Sequence, residues 1–174
     1  LIDGLKNEKA LSEPFSYFYE TEDCKVELAL QWVSSNGNIK GYANGLYMPD
    51  GGAFITGFKS SLTRTFNNLA NKNFSGEQIR GVLDGFVSVK VKMGQFSNQA
   101  KTALANPEAR TATSTAISIA LKEFFQRNNQ SFNKVIELLT KVEKAEAAAA
   151  RARTAVMDAQ KTVEKELKKK CVIA

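Results

Sequence analysis

Downstream of Pro107, apolar residues recur at alternating spacings of three and four, and this limits the fold more than any other feature of the chain. The stripe runs through Ser114, Ile117, Leu121, Phe124, Asn128, Ser131, Val135, Leu138, Val142, Ala145, Ala149, Ala152, Val156, Ala159 and Val163. Side chains spaced in this way share one face of an α-helix. The phase does not slip across the polar stretch Arg127 to Ser131. It therefore predicts one helix, kinked at most, of roughly 64 residues or about 95 Å. A helix of that length is more than a compact monomer can cover, which points to a coiled coil or an extended hairpin.

The stripe has an internal structure. Val135, Leu138, Val142, Ala145, Ala149, Ala152, Val156, Ala159 and Val163 form the predicted interaction seam. Its alanines let two backbones approach closely but bury little area. Asn128 falls at a core position, where a polar residue fixes register at some cost in stability. Acid-first pairs at i, i+4, such as Glu123/Arg127 and Glu137/Lys141, support the helix.

A second stripe with the same spacing comprises Ile79, Val82, Phe86, Val89, Met93, Phe96, Ala100 and Ala103. Ser75 followed by Gln78 outlines a capping box ahead of it. A helix over 76–105 would be the antiparallel partner of the long one. A strand template competes here, because Val87, Val89, Val91 and Met93 alternate with polar residues between Gly85 and Gly94. The helix template fits over the longer stretch and is preferred.

The first third reads differently. Phe15 to Tyr19 is aromatic-rich, and Cys24 to Val33 alternates in part. Asn36-Gly37 is a strong hairpin signal, and Pro49-Asp50-Gly51-Gly52 marks a second turn. Strands are expected on either side, the last being Ala53 to Phe58. Helix begins near residue 60, with Phe58, Leu62, Phe66 and Leu69 on one face. The fold class expected is α+β: a small N-terminal antiparallel β-sheet packed on a long antiparallel helical hairpin resembling a coiled coil. The regions are 1–59 (sheet), 60–106 (helices on the sheet) and 107–174 (long helix with basic tail), forming one structural unit.

Charge is distributed unevenly. Residues 1–94 hold ten Lys/Arg and ten Asp/Glu, whereas 95–174 hold fourteen against eight and so supply the whole net charge of +6. Residues 1–27 carry seven acids and three bases. An acidic front and a basic end suit head-to-tail attraction or an anionic surface. No run of about eighteen apolar residues is present to span a bilayer. The ending Lys168-Lys169-Lys170-Cys171-Val172-Ile173-Ala174 resembles a CaaX prenylation box with a polybasic run upstream.

Several chemistries are excluded or weakly supported. The chain has no histidine, which removes His-based triads, and two cysteines alone make no zinc site. Gly52 to Ser60 approaches a phosphate-binding loop but has Phe58 where lysine must follow glycine. Cys24 and Cys171 could bridge in an oxidising compartment. Basic residues are diluted by glutamates without aromatic interleaving, which disfavours nucleic acid as a partner.

The function expected from these features is that of a non-catalytic helical interaction and assembly protein, with no cofactor and no metal. Its partner would be itself or another helical protein. Lys168, Lys169, Lys170 and Cys171 would hold it to an anionic membrane, on the cytoplasmic face if the C-terminal box is used. Two rival expectations are a secreted pore-forming, toxin-like protein carrying a Cys24–Cys171 disulfide, and a self-assembling filament or capsid subunit.

Overall fold

The computed structural model describes residues 9–173. Asp3 and Glu8 of the acidic front and Ala174 of the C-terminal box lie outside it. The chain divides into two compact units, 1–139 and 140–174.

The first unit contains a five-stranded sheet in the order β1-β2-β5-β3-β4. Its strands are β1 (Phe15–Glu20), β2 (Cys24–Trp32), β3 (Ile39–Ala43), β4 (Leu46–Tyr47) and β5 (Leu83–Val91). Strand β5 lies between β2 and β3, antiparallel to the first and parallel to the second. The pairing Cys24↔Val91, Val26↔Val89, Leu28↔Val87 and Leu30↔Gly85 puts the apolar set of β2 and β5 on one face. These residues are buried. A one-residue slip would turn that whole set to solvent, so the alternation itself fixes the register.

This arrangement corrects two expectations. The sheet is neither purely antiparallel nor confined to the N-terminal region, and the stripe at 79–103 is not a helix. Leu83, Gly85, Val87, Val89 and Val91 alternate inward, and three β-branched valines fit a pleated surface better than a helical turn. The expected hairpin at Asn36-Gly37 also fails, although the chain does bend there, with Asn36 at φ 57. The bend leads out of β2 and along the start of β5. Val33 N–H donates to the Val82 carbonyl and Gly37 N–H to the Gly81 carbonyl. Strand β5 thus takes the slot that a hairpin would have closed.

Helices cover the buried face. Helix α1 spans Ala53–Ala70, so the expected strand Ala53 to Phe58 is the first turns of a helix. Gly51 and Gly52, at φ 64 and 110, turn the chain into it. Phe54, Phe58, Leu62 and Phe66 are its core stripe. The short helix α2 (Gly76–Arg80) begins with the Ser75/Gln78 capping box, both hydrogen bonds of which form. Helix α3 (Pro107–Arg127) buries Ile117, Leu121 and Phe124.

The principal helix pair is α1 with α3. Ser61 Oγ donates to the Ser114 carbonyl at 2.8 Å, Ser114 Oγ to the Gly57 carbonyl at 3.1 Å, and Thr65 Oγ1 to Ser118 Oγ at 3.3 Å. These contacts advance in the same direction along both helices, so the pair runs parallel. It is close because Gly57 has no side chain; a Cβ there would fall on the Arg110 carbonyl. The expected antiparallel hairpin is therefore absent, and helix packing comes instead from two segments joined through β5.

The long helix is also divided. Helix α3 ends at Asn128, which has φ −129 and ψ 50, and α4 (Asn129–Ile173) begins after it. Asn128 is exposed, so it caps a junction rather than setting register within a core. Phe132 enters the core beside Phe66, with ring centroids 5.0 Å apart, and meets Phe125 edge-on at 4.8 Å. Trp32 lies against Phe66 and Phe124, and Phe15 stacks on Phe124 at 4.4 Å. This aromatic cluster outweighs the continuity of the stripe and ends α3 where it does.

The second unit is the remainder of α4. No helix among the described residues is long and apolar enough to cross a membrane.

Candidate functional site

Residues 92–106 join β5 to α3 without regular secondary structure, yet the segment is tied down at every level. Ser97 N–H donates to the Ala103 carbonyl, Ala105 N–H to the Gln95 carbonyl, and Phe96 bridges Leu104. The two limbs therefore form a short antiparallel stem. The tip, Asn98 to Thr102, is closed by the Asn98 side chain: its Oδ1 accepts from Thr102 N–H, and its Nδ2 donates to Thr102 Oγ1 at 2.7 Å.

The stem is sewn to the N-terminus of α1. Leu104 N–H donates to the Gly51 carbonyl, Ala53 N–H to the Leu104 carbonyl, and Asp50 N–H to the Thr102 carbonyl. Only glycine fits at position 52, because φ 110 is strained for any side chain and a Cβ would fall on the Leu104 carbonyl. At the base of the stem Asn106 is fully buried. Its Oδ1 accepts from Gln95 N–H at 2.7 Å, and its Nδ2 donates to the Met93 carbonyl at 2.8 Å and to Glu108 Oε1 at 2.6 Å.

Lys101 is carried on this frame. It is exposed and adopts φ 55, a left-handed conformation that lysine rarely takes. Its Nζ lies 5.4 Å from the centre of the Phe96 ring, within cation–π range. Among the described residues no carboxylate pairs with it. Backbone strain at an ordered, exposed loop persists only when the surroundings hold it, and it marks a place where geometry is kept for use. The tip can present one unneutralised ammonium group, with Gln99 and Asn98 beside it as amide donors, to an anion.

Two titrating groups lie beneath this loop. The hydrogen bond from Asn106 holds the Glu108 carboxyl below its ordinary range. Burial, helped by the charges of Glu108 and Asp23, pushes the Cys24 thiol up to about 11. Cys24 is therefore a neutral packing group at the start of β2, not a nucleophile. No cluster of metal-ligating side chains occurs among the described residues.

The residues singled out from the sequence fall elsewhere. In the seam, Val135 is buried, while Leu138 and Val142 are half-buried. Ala145, Ala149, Ala152 and Ala159 are exposed, and so are Val156 at 57% and Val163 at 55%. Lys168, Lys169, Lys170 and Cys171 are exposed along α4. Both thiols are free, Cys24 buried in the first unit and Cys171 exposed in the second, so the expected disulfide is not formed. Lys101 and Asn106 escape a reading of the sequence, since a lone lysine and an Asn-Pro break carry no motif.

The fold places the chain among proteins of known structure. It superposes on the 43K ATPase domain of Thermus thermophilus gyrase B, solved with an aminocoumarin, with a TM-score of 0.78 and 29% identity over 87% of this chain and 44% of that one. It shares the fold of the ATPase region of Saccharomyces cerevisiae topoisomerase II, with a TM-score of 0.53 and 12% identity over 74% of this chain and 33% of that one. The family model described as DNA gyrase B matches residues 2–155, and the chain belongs to that family. Among its relatives, the DNA gyrase B protein of Synechocystis is 39% identical over 79% of this chain and 14% of its own length. The chloroplastic/mitochondrial DNA gyrase B protein of Oryza sativa is 34% identical over 86% of this chain and 22% of its own length. The chain thus spans between 14% and 22% of the length of these relatives.

This membership overturns the function expected from the sequence. A non-catalytic assembly protein, a prenylated membrane-associated protein, a pore-forming toxin and a filament or capsid subunit all give way to a gyrase B-type protein. The expectation that nucleic acid is disfavoured as a partner falls with them. Helical spacing and a permissive C-terminal pattern point towards assembly and membranes, whereas the family match runs over residues 2–155 and so takes in the β-rich part of the chain.

Proposed function

We propose that this chain serves ATP-driven DNA handling by a gyrase B-type protein, with Lys101 reaching the polyphosphate of a nucleotide bound on a neighbouring part of that protein. The observation that carries this reading is an exposed, unpaired lysine held at φ 55 on a loop with a sewn stem. A polyphosphate is the anion for which such a group is suited, since a positioned cation stabilises charge that develops on a leaving phosphate. The solved Thermus relative is described as an ATPase domain, and this chain covers 44% of it. Nucleotide contacts can therefore be divided between the covered part and the rest.

DNA would enter through phosphate contacts. Residues 140–173 carry nine Lys/Arg and five Asp/Glu, most of them exposed on α4. Each phosphate neutralised by such a side chain adds to the salt dependence of binding.

The experiment is steady-state ATP hydrolysis by the full-length protein and its Lys101→Ala variant. The expected outcome is a fall of about 100-fold in kcat/KM, with Lys101→Arg retaining part of the activity. Hydrolysis unchanged by Lys101→Ala would sink the proposal.

A further inference from the structure

The stem that carries Lys101 ends on a single buried side chain. Asn106 has no exposed surface, and all three of its hydrogen bonds reach either the loop or the first turn of α3. Two of the three go to main-chain atoms at the start of the loop, the Met93 carbonyl and the Gln95 N–H. Those residues lead into one limb of the stem, and Asn106 itself terminates the other. The side chain therefore clamps the two limbs at their base, as the Asn98 side chain closes them at the tip.

The clamp can sit only one way round. An ionised carboxylate only accepts hydrogen bonds, so the partner facing it must be the amide NH2. With Nδ2 committed to Glu108 and the Met93 carbonyl, Oδ1 is left facing the Gln95 N–H, the one donor in reach. A reversed amide would set oxygen against two acceptors and nitrogen against a donor. The Met93 carbonyl and the Gln95 N–H fix that orientation, and the bond to Glu108 adds a tie to the first turn of α3, a helix anchored to α1 through Ser114 and Ser118.

We propose that Asn106 is a positioning residue for Lys101, tied by Glu108 to the first turn of α3, and so transmits the placement of that helix to the loop tip. It touches neither Lys101 nor any nucleotide and acts through the stem. This inference rests on the reading of Lys101 given above.

The test is a double-mutant cycle on ATP hydrolysis by the full-length protein. If Asn106 acts through Lys101, Asn106→Ala lowers kcat/KM by about 10-fold in the native background and by less than about 2-fold in the Lys101→Ala background. An equal loss in both backgrounds overturns the inference while leaving Lys101 as the nucleotide contact. No loss from Lys101→Ala removes the nucleotide reading, and the inference falls with it. Should Asn106→Ala not fold, Glu108→Ala removes the acceptor that ties Asn106 to α3 and leaves its two main-chain bonds in place. Its expected loss is about 3-fold, again confined to the background that retains Lys101. A loss of equal size in both backgrounds, or no loss in either, overturns the proposal. Hydrogen exchange gives a second readout: the Gln95 amide should exchange faster in either variant, with β2 and β5 unchanged.

Discussion

The segments 79–103 and 114–163 carry the same alternation of threes and fours, yet the first became a short helix, the strand β5 and an anchored loop, while the second became two helices. Composition within the stripe separates them. The first stretch holds Gly81, Gly85 and Gly94 and packs Val87, Val89 and Val91 at every second position. Glycine costs a helix about 1 kcal/mol against alanine, and β-branched side chains lose rotamer freedom there. From Pro107 to the end there is no glycine, and alanine, lysine and glutamate dominate. Periodicity alone locates a face; the residue types decide which backbone carries it.

The largest expected effect that sharpens this contrast is Phe124→Ala. Phe124 lies on the helical stripe and in the aromatic cluster with Phe15 and Trp32, so its loss should cost about 3–5 kcal/mol, read as a shift in urea midpoint. Leu167→Ala, on the same helical run but 57% exposed, should stay within about 0.5 kcal/mol. If the two cost the same, the stripe rather than burial sets stability.

Next in size is Gly52→Ala, at the point where the loop of the first segment meets α1. Backbone strain at that φ costs of order 1–3 kcal/mol, and the Leu104 carbonyl must move as well. Faster hydrogen exchange at the Leu104 and Ala53 amides, with Tm lowered, is the expected outcome. Ser75→Ala removes one half of a capping box ahead of β5 and should cost about 1 kcal/mol, measured by thermal denaturation. A value near zero would mean that α2 is held by β5 and not by its cap.

The smallest effect is on pH dependence. Cys24, paired with Val91 across β2 and β5, titrates near 11 in the fold against an ordinary value of 9.0. The unfolded chain therefore loses this proton first, so the stability from the neutral thiol is fully present below pH 9 and declines as pH rises towards 11. Urea midpoints measured across that window should fall in the native protein and fall less in Cys24→Ala. At neutral pH, Cys171 should react with a thiol reagent at once and Cys24 only on unfolding.

Some of this was legible in the residues and some was not. The capping box at Ser75, the stripe Phe58 to Phe66 and the turn at Gly51-Gly52 are local signals, and each appears where its chemistry puts it, whereas the hairpin expected at Asn36-Gly37 does not form because β5 takes its slot. The order of the sheet was hidden because β3 and β5 pair across the whole of α1, and no local pattern records that partnership. The division at Asn128 was hidden because the stripe resumes in phase on the far side; two helices can share a register by coincidence of length. The candidate site was the least legible, since the loop that carries Lys101 is anchored on Gly51 and Gly52, which come near it only in three dimensions.

The position of β5 has a consequence for how the chain reaches its native state. The middle strand of the sheet is the last of the five to leave the ribosome, and until it arrives β2 and β3 have no neighbour in common. Loop closure across roughly 40 residues precedes any reward from that pairing, which slows folding. A nascent chain halted before Leu83 would display two open strand edges and a sheet face without α3 to cover it, and would depend on chaperones until synthesis resumed.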